Sequence, residues 1–289
     1  MPELPEVETI KRGLEPLLIS QKIKTVSFDW LKSFPNDPDM VDEFLINSTI
    51  VKVRRRGKVL MIDLNNDYSL LVHLKMTGQL VYRSQKQNFG AGHPNDSLIG
   101  KLPDKSSRVT IELNNGAKLF FNDQRKFGWM KLIPTSEIAN IDFFKKIGPE
   151  PLEATFTPKV LKDRLSKRPN SKIKAALLDQ TVIAGIGNIY ADESLWGAKI
   201  HPARLVKSLT NQEIEQLYEE IIFVLKLSIK KGGSTDKNYV NHEGKRGSYL
   251  DFARVFRRQN LDCPSCGQTI EKIKLAGRGT HFCPNCQKL

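Results

Sequence analysis

The residues with the clearest chemical potential open the chain: Met1-Pro2-Glu3-Leu4-Pro5-Glu6-Val7-Glu8-Thr9. Removal of Met1 would leave Pro2 as a free secondary amine with a carboxyl, Glu3, beside it. An α-amine titrates near ~8, so part of it is neutral at cell pH and can attack an electrophilic carbon. A carboxyl next to such a nucleophile is placed for proton transfer. The same residues also read as a helix start, with Pro5 in the first turn and acids at the positive end of the dipole. The two readings are compatible. The stretch has no basic segment followed by an apolar run, so it does not read as a secretory signal.

A second cluster closes the chain. Cys263-Pro-Ser-Cys266 and Cys283-Pro-Asn-Cys286 are separated by sixteen residues. Two such knuckles present four thiolates to one tetrahedral ion, which predicts one structural Zn2+ with no open catalytic position. Between them, Thr269–Leu275 and Thr280–Phe282 read as a hairpin turning at Ala276-Gly277-Arg278-Gly279. Arg278 is then pushed outward, either as a solvated turn residue or as a phosphate contact.

Further candidates lie between these ends. Val182-Ile183-Ala184-Gly185-Ile186-Gly187-Asn188-Ile189-Tyr190 joins two predicted helices. Asn188 is suited to cap the second, and exposed amides there would form an anion site; an ordinary helix–turn–helix corner fits as well. Lys172 and Lys174 precede it and favour a backbone phosphate. Lys52-Val53-Arg54-Arg55-Arg56-Gly57-Lys58 carries five positive charges in seven residues and suggests a positive face on sheet-like segments. His73 and Met76 follow, each most simply structural. Asp123-Gln124-Arg125-Lys126-Phe127-Gly128 offers a loop with a basic pair and an aromatic. Phe127 is either core or a wedge that fills the space a departing base leaves in a DNA stack.

These residues need elements to hold them. A chain of 289 residues with 39% hydrophobic content supports two domains and a small appendage. The net charge of +13 favours polyanionic partners through counterion release, without selecting an activity. No run of about 18 apolar residues occurs, so no membrane partner is expected. Clustering of every cysteine near one end argues against a whole-chain disulfide framework and for a cytoplasmic protein. Residues 4–18 read as a helix with Val7, Ile10, Leu14, Leu17 and Leu18 on one face. Short alternating runs follow at 23–30, 49–55, 58–64, 69–74, 79–83, 108–113, 118–122 and 128–133, which predicts an antiparallel sandwich or barrel. Ser84–Ser107 reads as a long flexible loop. After a linker at Gly148-Pro149-Glu150-Pro151 the pattern turns helical at 158–167, 171–180, 188–196 and 210–230. Thr210 and Glu213 form a capping box before the longest helix, and 251–259 is also read as helical. The expected domains are 1–135, a linker over 136–152, 153–262 and 263–289.

Taken in order, PELPEVET, RRRGK, HLKMTG, DQRKFG, AGIGNIYADE, GGST and the terminal AGRGTHFC finger resemble bacterial formamidopyrimidine-DNA glycosylase from Pro2 nearly to the last residue. Leu4 and the continuation PEVET favour this branch over the sister endonuclease VIII family. The resemblance implies an α+β protein: an N-terminal antiparallel β-sandwich with flanking helices, then a helix–two-turn–helix domain with a zinc-finger β-hairpin, with DNA in the cleft between. It implies excision of oxidised purines from double-stranded DNA and strand cleavage by β,δ-elimination. Pro2 is then the nucleophile at C1′, Glu3 the general acid for base release, and Glu6 a support of the pocket. Lys58 serves β-elimination and a phosphate; Arg278 serves δ-elimination and a phosphate. His73, Lys174 and Asn188 match DNA contacts. Met76, Arg125 and Phe127 replace the flipped base, with Arg125 reading the opposite cytosine. A monomer acting at the bacterial nucleoid is expected.

The chain departs from the family pattern in places. Ser106-Ser107-Arg108 stands where a His-Asp-His segment is usual, with Arg108 as the candidate substitute. Phe256-Arg257-Arg258 replaces Tyr-Gly-Arg, and the 84–107 stretch is long. The Gly232–Gly247 segment keeps Ser234, a DNA-contact candidate, but has Asn238 where Thr occurs. Two alternatives stay open at this point: an endonuclease VIII-like enzyme for oxidised pyrimidines, and a non-catalytic zinc-dependent DNA-binding protein.

Overall fold

The computed structural model describes residues 1–93, 95–234 and 249–289. Its chain divides into two compact units, one of Met1–Lys145 with Lys231–Ser248, the other of Lys146–Lys230 with Tyr249–Leu289. Asn238 lies outside the described residues.

In the first unit, helix α1 (Leu4–Leu18) buries the predicted stripe, including Val7, Ile10 and Leu14. Its start is a reciprocal capping box in which the Glu3 N–H donates to Glu6 Oε2 at 2.8 Å and Glu3 accepts from the Glu6 N–H. Strands β1 (Ile23–Phe28), β2 (Ile50–Arg56), β3 (Val59–Leu64), β4 (Tyr68–His73), β5 (Gly78–Arg83), β6 (Asn88–Gly92), β7 (Ser107–Leu113), β8 (Lys118–Asp123) and β9 (Trp129–Pro134) form two antiparallel sheets. Their orders are β1-β7-β8-β5-β6 and β2-β3-β4-β9. Period-two alternation turns Val53, Leu60, Ile62, Leu70 and Val72 of one sheet toward Leu80, Val109, Ile111 and Phe121 of the other, giving one sandwich core. Helix α1 closes that core against β2 and β6. Gly13 is required there, since a Cβ would come within 2.1 Å of the Phe89 ring. A short helix, α3 (Asp142–Lys146), and the turn before it cover the outer face of the second sheet with Ile138, Phe143 and Phe144.

The 84–107 stretch is not a loop throughout. It contains β6, paired with β5 from Gln79↔Gly92 to Arg83↔Asn88, and a helical turn at Asp96–Leu98. Gly90 and Gly92 replace the side chains whose alternation would have marked the strand. The sequence reading also misses α2 (Pro38–Phe44), which Asp37 caps through the Asp39 N–H at 2.9 Å, with Pro38 at the first position.

The second unit carries α4 (Pro158–Leu165), α5 (Ile173–Leu178), α6 (Asn188–Gly197) and α7 (Asn211–Lys230) around a core of Leu161, Leu177, Ile186, Tyr190, Leu217 and Ile221. Thr210 and Glu213 make the predicted capping box, at 3.2 and 2.8 Å. The helix expected over 251–259 is only a turn at Tyr249–Phe252. The buried carboxylate of Glu193 instead takes the N–H groups of Arg254, Val255 and Phe256 at 2.9, 2.9 and 2.8 Å, so that backbone has no need of helical partners. Strands β10 (Glu271–Leu275) and β11 (Arg278–Phe282) form the terminal hairpin. Its turn is Ala276-Gly277, both at positive φ (47° and 73°), which is a two-residue primed turn. Arg278 therefore begins β11, opposite Leu275, and does not sit in the turn as expected. Among the described residues, no helix is long and apolar enough to cross a membrane.

Candidate functional site

The amino-terminal cluster is built on α1. Pro2 is buried and Glu3 only 3% exposed. Glu6 spends one oxygen on the Glu3 N–H; its other, Oε1, accepts the Ser234 N–H at 2.8 Å. Gly233 makes this docking possible, with φ at +88° and a hypothetical Cβ only 3.2 Å from Glu6 Oε1. Ser234 is thus attached through its backbone. Two residues further into the helix, Glu8 bonds Arg55 at 3.1 Å and Arg12 at 2.9 Å. Burial opposes its ionisation, but these guanidiniums prevail and hold its carboxyl below the usual carboxylate range.

The basic run 52–58 is not one uniform positive face. Successive β2 side chains alternate sides: Arg54 pairs with Asp63 at 2.6 Å while Arg55 turns to Glu8. Arg55 also donates to the Gly57 carbonyl at 2.9 Å, shaping the turn at Gly57 (φ 56°) that presents Lys58, 6% exposed. Val59 pairs with His73, so Lys58 adjoins that imidazole. Burial, then the charges of Lys75 and Lys58, lower the His73 pKa to about 3. Its Nδ1 accepts the Lys75 N–H at 3.0 Å, which places the ring proton on Nε2. Any contact His73 makes is that of an uncharged donor.

Met76, Arg125 and Phe127 are brought together by Asp123, a residue the sequence reading passed over. Its buried carboxylate accepts the Thr77 hydroxyl and the N–H groups of Arg125, Phe127 and Gly128 at 3.2, 2.8 and 2.7 Å. The signal was an Asp followed closely by Gly in a polar loop, where carboxylates fold the backbone around themselves. Phe127 is left 54% exposed, with the Arg125 guanidinium 4.9 Å from its ring centre. Phe127 is therefore not core. Arg108 does not face outward either: only 4% exposed, it bonds Asp29, the Lys105 carbonyl and the Asp123 carbonyl. It braces the loop from inside and cannot replace an outward His. Asp123→Ala is expected to destabilise the first unit by about 2–4 kcal/mol, because several buried donors lose one acceptor. Faster hydrogen exchange at Arg125, Phe127 and Gly128 would be the direct readout; unchanged exchange would contradict it.

In the second unit, Lys174 is fully buried, with its ammonium 2.6 Å from Asp192 Oδ1, 2.8 Å from Thr280 Oγ1 and 3.1 Å from the Gly279 carbonyl. This arrangement makes it a strut for β11 and leaves no surface for a direct phosphate contact. Asn188 is not a cap: the helix starts at Asn188 itself, and its Nδ2 donates to the Gly279 carbonyl at 2.9 Å. The turn before α6 is held by Gln180, also missed, which accepts from the Gly185 N–H at 2.9 Å and donates to the Ile186 carbonyl at 2.8 Å. Arg278 is exposed at the start of the strand that these residues grip.

The four cysteine sulfurs lie within 4.8 Å of one another, with Cys263–Cys286 at 3.8 Å and Cys266–Cys283 at 3.5 Å. A tetrahedral ion at a ~2.3 Å Zn–S distance requires sulfurs ~3.8 Å apart, so the set fits Zn2+. Burial and the neighbouring thiols push Cys286 up to about 12, and only a bound cation lets all four ionise together. Trp196 Nε1–H donates to Cys263 Sγ at 3.4 Å, and Gln287 ties the second knuckle to the Ile200 carbonyl at 2.9 Å. The site holds one structural zinc.

Comparisons with known proteins agree with this geometry. The formamidopyrimidine-DNA glycosylase N-terminal domain matches residues 1–130, the corresponding H2TH domain residues 147–239, and a zinc finger found in FPG and IleRS residues 262–289. A formamidopyrimidine-DNA glycosylase of Pediococcus pentosaceus is 42% identical over 289 residues, covering 100% of both chains. One from Streptococcus pyogenes is 42% identical over 291 residues, covering 100% of this chain and 99% of the relative. Among solved structures, a Lactococcus lactis FPG mutant in complex with a Fapy-dG containing DNA superposes with a TM-score of 0.88 at 36% identity over 100% of both chains. The L. lactis protein with an abasic site containing DNA gives 0.88 at 36% identity, over 99% of this chain and 100% of that one. The chain belongs to the formamidopyrimidine-DNA glycosylase family.

Proposed function

We infer that this protein is a base-excision-repair DNA glycosylase and AP lyase that removes oxidised purines, 8-oxoguanine and formamidopyrimidines, from double-stranded DNA. The observation that carries the reading is the amino-terminal cluster: Pro2 and Glu3 held at the head of α1 by the Glu3–Glu6 capping box, with Glu6 also fixing Ser234. Pro2, freed of Met1, attacks C1′ of a nucleotide flipped out of the duplex. Glu3 supplies the proton for base release. The iminium formed by a secondary amine is permanently cationic, acidifies the adjacent sugar carbon and drives loss of the 3′ and then the 5′ phosphate. Lys58 and Arg278 serve these eliminations and hold phosphates. Met76, Arg125 and Phe127 fill the vacated stack, Arg125 facing the opposite cytosine. His73 adds a neutral donor, and Lys174 and Asn188 act by holding β11. The protein works as a monomer in the bacterial cytoplasm, at the nucleoid.

Borohydride trapping on a duplex with 8-oxoguanine opposite cytosine tests the reading. A covalent adduct is expected; its absence with processed protein would sink the catalytic assignment, and a better yield on thymine glycol would move it to oxidised pyrimidines. Separately, Arg278→Ala should weaken binding and reduce the slope of log K against log salt by about one. An unchanged slope would remove Arg278 from the phosphate contacts.

A further inference from the structure

Lys126 lies between Arg125 and Phe127 and takes no part in the proposed reaction. Its backbone is nevertheless in the left-handed region, with φ at 58°. A lysine there is strained and persists only where its surroundings fix it. Asp123 gathers the loop backbone from inside, through the N–H groups of Arg125, Phe127 and Gly128. A second anchor comes from another part of the chain. Lys126 Nζ lies 4.4 Å from the centre of the Trp30 ring. Indole offers a cation the strongest of the aromatic faces. Trp30 Nε1 is buried with no acceptor among the described residues, so packing and the ammonium orient this ring, not a hydrogen bond.

The segment that carries Trp30 is itself tied to the base of the loop. It follows β1, where the Asp29 N–H donates to the Arg108 carbonyl at 3.1 Å and the Asp29 carboxylate takes the Arg108 guanidinium. The same guanidinium donates to the Asp123 carbonyl at 3.1 Å. On its other side, the Trp30 carbonyl accepts the Ser33 N–H at 2.9 Å, which opens a helical turn at Leu31–Ser33. The contacts close a circuit from Trp30 through Asp29, Arg108 and Asp123 to Lys126 and back to Trp30. Arg125 and Phe127 flank its last link, with the guanidinium 4.9 Å from the phenyl centre. The backbone angle at Lys126 sets the direction of Phe127 relative to Arg125, so whatever holds Lys126 also holds that pair.

We propose that Trp30 is a specificity-determining positioning residue: by clasping Lys126 it holds Arg125 and Phe127 in the arrangement that reads the opposite base. The proposal rests on Arg125 facing the opposite cytosine. Trp30 acts through Lys126 and needs no contact of its own with DNA. Loss of the clasp lets the left-handed turn relax, Arg125 and Phe127 part, and cytosine loses its advantage over another opposite base. Pro2 and Glu3 are mounted on α1, away from this circuit, so the loss falls on discrimination more than on rate.

The test is single-turnover excision of 8-oxoguanine opposite cytosine and opposite adenine, using full-length, zinc-loaded protein whose amino terminus has been confirmed as Pro2. Trp30→Leu, which keeps apolar bulk without a π face, is expected to lower the cytosine-over-adenine preference about five-fold, the scale of one cation–π contact. Lys126→Met should lower it as much, and the double variant no further, because the two side chains act as one unit. Trp30→Phe keeps a weaker face and should retain part of the preference. In fluorotryptophan-labelled protein without DNA, the fluorine resonance that Trp30→Phe removes should shift in Lys126→Met. Arg125→Ala separates the two assignments. If it keeps the wild-type preference, Arg125 does not read the opposite base and the proposal falls with that assignment. If it loses the preference while Trp30→Leu and Lys126→Met keep it, only the proposal falls. Effects of the two substitutions that multiply in the double variant, or a Trp30 resonance indifferent to Lys126→Met, would also overturn it.

Discussion

Protein that keeps Met1 is expected to form no borohydride-stable adduct with abasic-site DNA, while processed protein forms one readily. The reason lies in one nitrogen. Acylated by Met1, the Pro2 nitrogen is a tertiary amide whose lone pair is delocalised into the carbonyl. It cannot add to C1′. With Met1 removed it is a secondary amine, partly neutral at pH 7 and strongly nucleophilic. The expected difference is about three orders of magnitude or more in single-turnover rate, equivalent to ~4 kcal/mol of barrier. DNA binding should change little, because the phosphate contacts proposed for Lys58 and Arg278 lie elsewhere on the chain. Pro2→Gly gives an intermediate case: a primary amine still traps, but its imine can lose its charge by deprotonation, so elimination slows relative to trapping. Mass spectrometry of each preparation sets the amino terminus before the comparison. An equal adduct yield from the Met1-retaining protein would remove Pro2 from the chemistry and assign the Schiff base to another amine.

The sequence carried these chemical ends of the chain unusually well. Pro2, Glu3 and the four cysteines are legible because their chemistry depends on local spacing: one residue from an amine to a carboxyl, two residues within each knuckle. The sandwich was legible because its strands alternate. What failed depends on distant partners. Arg108 and Lys174 look like surface cations in sequence, and both are buried because Asp29 and Asp192, 79 and 18 positions away, meet them. Nothing local distinguishes a cation that a distant acid will meet. The helix read over 251–259 gave way because Glu193, some 60 residues earlier, takes the same backbone amides. Strand β6 disappeared from view because glycines carry no alternation. Sequence reasoning thus found the candidate reacting groups and lost those that hold them in place.

Among those holding groups, Asp192 should show the largest effect on stability. Its carboxylate faces Lys174 Nζ at 2.6 Å through Oδ1 and accepts the His281 N–H at 3.0 Å through Oδ2, with His281 Nδ1 at 3.2 Å. One side chain therefore fastens α5 and β11 to α6, and all three partners lie at or below 5% exposure. Asp192→Asn keeps the shape but leaves the Lys174 ammonium buried without its counter-charge. Breaking a buried pair in this way costs about 3–5 kcal/mol, since the surviving ion keeps the neutral oxygens of Thr280 and Gly279 but has neither solvent nor the Asp192 charge. Lys174→Met in the same background removes the orphaned charge, so the double variant is expected to be more stable than Asp192→Asn alone. That reversal separates a strut from a phosphate ligand. A strut gives strong coupling in a double-mutant cycle of denaturant unfolding, followed at Trp196 in the second unit with zinc bound. A phosphate ligand would instead give Lys174→Met near-native stability, no coupling to Asp192 and a salt slope lower by about one. Because Lys174 and Asn188 both grip the Gly279 carbonyl, next to Arg278, loosening this pair also loosens the strand that presents the exposed guanidinium.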